Sequence, residues 1–428
     1  MARSHDMTSG SIWRSLLGFS IPIMISNLVQ STYNAVDMLF VGRFTGTESL
    51  AAVSVCGPIL NVMIITLSGM SAGVLVVISG LLGAGDIKQA QDAAHTSVAL
   101  YALMAAVMTV LGLLFVPQIL RLVQTPAAAM PEAKRYLYTV FAGTVFTFGY
   151  NLIGALQRGL GNAAASMSFV IISSAANIAL DAVFIVWLGM GAFGAALGTV
   201  LSQVAAFVIG TVQFARGGAA LRLSARAVRF HKKHLKNILL FGVPTALNEV
   251  MVNLAMLTVS GVANSFGLAS SAAYGVGSRI NSLAIFTDGA MNQTMSAYAS
   301  QNIGAGRQKR ALEGLWKGII LSAGAALGTS LLVLGFASEF SACFDSDPAV
   351  IEQSAAFLRV TVWSYPLFAT VGPLIGFIRG TGNVEASLLV GVVAQLCCRV
   401  PASFLFSRWM GFPGVGVAVL VGPLVSVS

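Results

Sequence analysis

The sequence predicts an all-α integral membrane protein: twelve transmembrane helices in two six-helix lobes related by a parallel internal repeat. Three observations predict it. Of 428 residues, 56% are hydrophobic and only 9% charged, whereas soluble domains carry roughly 25% charged residues. Apolar stretches of about 20 residues, long enough to cross a bilayer as helices, recur along the chain. The two halves also repeat each other at a nearly fixed offset.

The apolar stretches fall near 13–40, 50–79, 93–119, 135–156, 165–187 and 193–214 in the first half. In the second half they fall near 237–261, 276–302, 311–337, 352–377, 386–407 and 413–428. The last is shorter than its counterpart and is expected to be cut short at Ser428. This organises the chain as an N-lobe at 1–215, a basic cytoplasmic linker at 216–236 and a C-lobe at 237–428. The tail up to Gly10 is short and polar, with no cleavage pattern after a short apolar core, so no removable signal peptide is expected.

The repeat is carried by several motifs at once. Gly83-Ala84-Gly85 recurs as Gly304-Ala305-Gly306, and Arg158-Gly159-Leu160-Gly161-Asn162 recurs as Arg379-Gly380-Thr381-Gly382-Asn383. Trp187, Gly189 and Gly194 recur as Trp409, Gly411 and Gly416, and Pro22 recurs as Pro244. One offset of 221 to 222 residues linking them all points to duplication. An even number of spans per half makes the repeat parallel, an arrangement familiar in transporters. Both glycine motifs lie at span ends and read as tight turns or hinges. They lack the strand and the Lys-Ser/Thr context of a phosphate loop.

Charge sets the orientation. With the N-terminus in the cytoplasm, sixteen Lys and Arg fall inside, including Arg3 and the linker cluster from Arg216 to Lys236, and seven fall outside. This is the positive-inside pattern, with both termini cytoplasmic in the cell (inner or plasma) membrane. The net charge of +9 therefore belongs to the cytoplasmic rim, where basic groups meet anionic lipid, and no nucleic-acid partner is expected. The four cysteines, Cys56, Cys343, Cys397 and Cys398, show no metal or redox spacing. The four histidines, His5, His95, His231 and His234, lie in the tail, beside a loop and in the linker, with no catalytic or metal-binding pattern. No enzyme, no metal and no cofactor are expected.

Ionisable residues inside spans are costly and point to function. They are Asp37, Asp181, Glu249, Asp288 and Arg399. At about 1.5 Å per residue, Asp37 lies roughly 5 Å and Asp181 roughly 9 Å below the outer ends of their helices. Thr199 enters its helix to a similar depth, and Asn177 lies one turn from Asp181 on the same face. These four oxygen-bearing side chains share one layer of the first half, a donor set that suits a proton or a hard monovalent cation. The competing reading is structural, with Asp37 facing the outer interface and Asp181 bonded to a neighbouring helix. Glu249, beside Asn248, and Asp288 lie near mid-membrane and either contact a cationic substrate or are buried, hydrogen-bonded carboxyls. Arg399, before Val400-Pro401, reads as structural.

These residues resemble the multidrug and toxic compound extrusion (MATE) family over essentially the whole chain. The carriers are Tyr33-Asn34-Ala35-Val36-Asp37, Asn177-Ile178-Ala179-Leu180-Asp181, Gly194-Ala195-Ala196 leading to Thr199, Gln301-Asn302-Ile303-Gly304-Ala305-Gly306, and both Arg-Gly-X-Gly-Asn copies. The resemblance implies a monomeric antiporter that exports cationic and amphipathic small molecules in exchange for H+ or Na+. It implies coupling-ion binding at Asp37, Asn177, Asp181 and Thr199, with Tyr33, Asn34, Glu249 and Asp288 as candidate substrate-cavity residues. Some family members carry an acidic residue eight positions after the helix-7 proline. Here that position is Val252, with Glu249 one turn earlier. A lipid-linked precursor flippase is the nearest rival, and a membrane-embedded enzyme a more distant one. Carried across the repeat, Asp37 lands on Thr258 or Val259 and Asp181 on Ala402 or Ser403. A single ion site, in the first half, is therefore expected.

Overall fold

The computed structural model describes residues 6–216, 221–284 and 286–427, all helix and connecting turns with no strand among them. Arg3, His5 and Ser428 lie outside the described residues. The helices are α1 (Ile12–Phe44), α2 (Thr47–Gly83), α3 (Ile87–Leu122), α4 (Met130–Gly159), α5 (Ala163–Asp181) and α6 (Gly191–Arg216). They continue as α7 (Lys232–Asn264), α8 (Leu268–Ala284), α9 (Phe286–Gly304), α10 (Gln308–Ala342), α11 (Pro348–Thr361), α12 (Tyr365–Gly380), α13 (Val384–Val392), α14 (Val400–Met410) and α15 (Phe412–Val427).

Among the described residues, ten helical stretches are long and apolar enough to cross a membrane. Three of them are composite: α11 and α12 are joined by one 3₁₀ turn, α13 and α14 by a π-helical turn, and α5 runs on into a π turn at Ala182–Trp187. The eighth expected span, at 276–302, falls on α8 and α9. The twelfth is α15, an apolar helix of 16 residues. Large apolar side chains stand exposed along these helices, Leu114 at 63% and Leu331 at 65%, a surface suited to lipid rather than water. Trp187 and Trp409, the repeated pair, are exposed at 79% and 74%, as aromatic residues at a bilayer interface are.

The repeated motifs prove to be helix-to-helix turns. In each Arg-Gly-X-Gly-Asn copy the second glycine takes a positive φ, 78° at Gly161 and 100° at Gly382, which a β-carbon would strain. The asparagine then caps the next helix: Asn162 accepts from the amide of Ala165 at 3.0 Å, and Asn383 from that of Ala386 at 3.3 Å. The π turn over Val393–Arg399 runs into Pro401. Lacking an N–H, that proline leaves the Cys397 carbonyl without its α-helical partner. The other π turn, Ala182–Trp187, directly follows Asp181.

The helices form two units. One holds Ile21–Gly242; the other holds Met7–Ser20 together with the chain from Val243 on. Composition suggests boundaries at 215 and 237, between helices. Contacts instead draw them within α1 and within α7, in each case just before the repeated proline, Pro22 or Pro244. The physical reason is visible at both exchanged ends. In the second unit the Met7 amide donates to Gln301 Oε1 at 2.9 Å, and Asn302 donates to the Met7 carbonyl at 3.2 Å. Arg310 donates to the carbonyls of Met7, Ser9 and Gly10. In the first unit the basic linker is tied to the first turns of α3. Arg222 and Ser224 donate through their amides to Gln91 (2.7 Å) and His95 (3.3 Å), and the His231 amide donates to Thr96 (3.2 Å).

Each unit has its own core. Ile78, Tyr101, Phe148 and Phe169 centre one cluster of the first unit, and Val41, Cys56, Tyr136, Phe141 and Ile185 centre another. Tyr274, Phe357, Tyr365 and Phe412 centre that of the second.

Candidate functional site

Three helices of the first unit bring the expected residues together. Asp37 is seven residues before the end of α1, Asn177 and Asp181 share the last turns of α5, and Thr199 lies in the third turn of α6. The carboxyls of Asp37 and Asp181 lie within interaction reach of each other. Asn177, its amide oriented to satisfy both partners, donates to Asp181 Oδ2 at 3.2 Å and accepts from the Thr199 amide at 3.2 Å. Thr199 thus joins through its main chain, where the sequence suggested its hydroxyl.

Asp181 is fully buried and Asn177 is 2% exposed, while Asp37 is half-buried. One oxygen of each carboxyl, Asp37 Oδ1 and Asp181 Oδ1, is buried without a hydrogen-bond partner. Asp181 Oδ1 abuts the α-carbon of Gly198 on α6, where a β-carbon would lie 2.3 Å from it. Only glycine lets α5 and α6 approach this closely.

The chemistry follows from the donor count. An ionised carboxylate only accepts hydrogen bonds, so two carboxyls this close can bond to each other only by sharing a proton. Without that proton, two adjacent negative charges in an apolar surround are stable only with a cation between them. The two unpartnered oxygens and the Asn177 carbonyl are of the right type to bind a hard monovalent cation.

Tyr33, one turn before Asp37, lies within electrostatic range of both aspartates and of Tyr150. Asn34 is exposed. Tyr136 on α4, not identified from the sequence, is buried and within electrostatic range of Asp37, Tyr33 and Asp181. Its register, one helical turn after Glu132 in a polar run, was the available signal.

The second-unit candidates occupy a different setting. Asp288, half-buried on α9, packs its carboxyl against Gly372 on α12 and keeps Oδ1 buried and unpartnered. Glu249 on α7 is half-buried and electrostatically paired with Arg379. Arg379, counted from the sequence as a rim charge, is in fact 6% exposed and donates to Asn292 Oδ1 at 3.2 Å. Arg399 is also 6% exposed and donates to Gln395 one turn earlier, as a structural residue does. Among the described residues no cluster of metal-ligating side chains occurs.

A twice-repeated bundle of membrane-spanning helices that holds a carboxyl pair in its apolar interior has the build of a membrane transporter. The chain belongs to the MatE family, whose model matches residues 22–183 and again 244–405, two copies set 222 residues apart and each starting at a repeated proline. This is a family of transporters, not of enzymes. The probable multidrug resistance protein YpnP of Bacillus subtilis is 27% identical over 417 residues, 97% of this chain and 93% of that protein. Multidrug export protein MepA of Staphylococcus haemolyticus is 23% identical over 97% of this chain and 91% of its own. Among solved structures, the outward-facing conformation of a multidrug resistance MATE family transporter of the MOP superfamily aligns with TM-score 0.93 at 25% identity, over 98% of this chain and 94% of that one. A MOP superfamily transporter from Pyrococcus furiosus shares the fold, with TM-score 0.92 at 24% identity, over 100% of this chain and 96% of that one.

Proposed function

We propose that this protein is a secondary active antiporter that exports organic cations and other amphipathic drugs in exchange for inward H+ or Na+, by alternating access. The observation that carries the reading is the close carboxyl pair Asp37–Asp181, with Asn177 bonded to Asp181. Such a pair has two stable conditions, one holding a proton or Na+ and one opened to water. A site that alternates between them can couple cation movement to a change in helix position. The relatives' names, multidrug resistance and multidrug export protein, support drugs as cargo. Intramembrane carboxyls suit cationic cargo.

Helix α1 is the element that transmits occupancy. Pro22 removes the hydrogen bond to the Gly18 carbonyl, so α1 bends there at low cost. The residues before this point pack with one unit and those after it with the other. A change at Asp37 therefore acts on the half of α1 beyond the proline. The charge asymmetry supports cytoplasmic termini and places the Asp37 layer toward the outer face. A lipid-linked flippase would need basic groups turned toward phosphate. Arg379 and Arg399 are instead buried and bonded to Asn292 and Gln395.

Efflux of ethidium from cells or vesicles carrying Asp37→Asn and Asp181→Asn tests the proposal. Both variants are expected to lose coupled efflux. Wild-type transport in both would sink it.

A further inference from the structure

At the end of the first unit where α1 stops and α2, α4 and α6 begin, the structure contains a cavity of about 430 Å³. It is lined by the α1–α2 turn (Thr45, Gly46), Ser49, Glu132, Arg135 and the turn before α6. Glu132 is its one acidic wall. Oε1 pairs with the exposed Arg135 at 3.5 Å, while Oε2 is buried without a hydrogen-bond partner. Ser49 Oγ and Glu132 Oε2 both face Gly191. A β-carbon there would lie 2.8 Å from the first and 3.3 Å from the second, filling the space. The other charged groups near this end are Arg43, Glu48, Arg121 and Lys134, from α1, α2, α3 and α4.

Two lines of structure run from this cavity to the carboxyl pair. Along α4, Tyr136 follows Glu132 by one turn on the same face and lies within electrostatic range of Asp37 and Asp181. Along α5, the π turn that begins right after Asp181 ends two residues before Gly189, on the cavity rim.

We infer that this cavity is the outer access port for the coupling cation, with Glu132 as its transient ligand and Arg135 as the counter-ion that the cation displaces. The inference rests on the antiport reading above and goes beyond it by assigning a second, peripheral cation site. A carboxylate at a mouth with low-dielectric walls concentrates monovalent cations there. The Glu132–Arg135 pair is weak enough to be displaced, because one partner is largely in water.

The test uses the full chain in right-side-out vesicles, with ethidium efflux followed while external pH and external Na+ are varied separately. Glu132→Gln is expected to raise the half-saturating concentration of the coupling cation about fivefold, the effect of one unit charge across about 4 Å of water. Higher external cation should overcome the deficit. Met190→Cys, on the rim, supplies an independent arm. After labelling from outside by membrane-impermeant thiol reagents, an added negative charge should lower the half-saturating concentration and an added positive charge should raise it. The unsubstituted chain treated identically is the control. An unchanged half-saturation in Glu132→Gln overturns the port, as do reagents of opposite charge acting alike. If Glu132→Gln does not fold, the thiol arm decides alone. Wild-type efflux in Asp37→Asn would instead remove the antiport reading on which the port depends. Loss of efflux in Asp37→Asn with unaltered Glu132→Gln removes the port only.

Discussion

Gly198→Ala tests whether the buried carboxyl arrangement is required in its observed geometry. The added β-carbon would lie 2.3 Å from Asp181 Oδ1 and 3.5 Å from Asp181 Cγ and N. Relief to an ordinary contact needs a shift of about 1 Å. The side chain has little freedom, being fully buried and bonded to Asn177. A shift of that size carries the 3.2 Å Asn177–Asp181 bond beyond hydrogen-bonding distance. Overpacking costs about 1–3 kcal/mol, offset by about 0.5–1 kcal/mol gained on replacing a helical glycine, so the net loss is roughly 1–2 kcal/mol. Transport should fall far more than stability does, by about tenfold or more, because a 1 Å misplacement at a working site is costly. The assay is ethidium efflux alongside thermal melting of the detergent-solubilised protein, with Gly57→Ala as control, since a β-carbon there meets nothing within 4 Å. A Gly198→Ala protein that transports at the wild-type rate would refute the need for this geometry.

Three further outcomes are expected. Arg310→Ala removes the donor to three tail carbonyls and should cost about 1–3 kcal/mol, with faster hydrogen exchange or proteolysis at Met7–Gly10. Arg379→Gln removes the buried donor to Asn292 Oδ1 and should destabilise by about 1–3 kcal/mol, read as a lower melting temperature. Asp86 caps α3 through the Gln89 amide at 3.0 Å, and that hydrogen bond holds its carboxyl below the usual carboxylate range. A lowered folded-state value means that the contribution is complete above the ordinary value and is lost as pH falls through the folded one. Amide exchange at Gln89 should accordingly speed up only below about pH 3.8, and Asp86→Ala should abolish that pH dependence.

Much of this architecture is legible in one sequence because a bilayer constrains sequence strongly. Apolar length gives the spans, and a single offset gives the repeat that the family match reproduces at 222 residues. The Asp37, Asn177 and Asp181 grouping is legible because helical rise alone puts them at one depth. What the sequence hides is packing. Composition runs along the chain, so it could not show that α1 and α7 each change unit at a proline. Arg379 looks like a rim charge because it sits at a span end, yet its long side chain reaches inward to Asn292. Thr199 enters by its amide and not its hydroxyl, a distinction that residue type does not carry.

The most direct measurement of the central claim is uphill ethidium efflux by the full chain under pH and Na+ gradients imposed separately. One inward cation gradient should drive export in the wild-type protein, and both Asp37→Asn and Asp181→Asn should lose the response to it. Export that is indifferent to both gradients, or gradient-driven export that persists in both variants, would contradict coupling at this carboxyl pair.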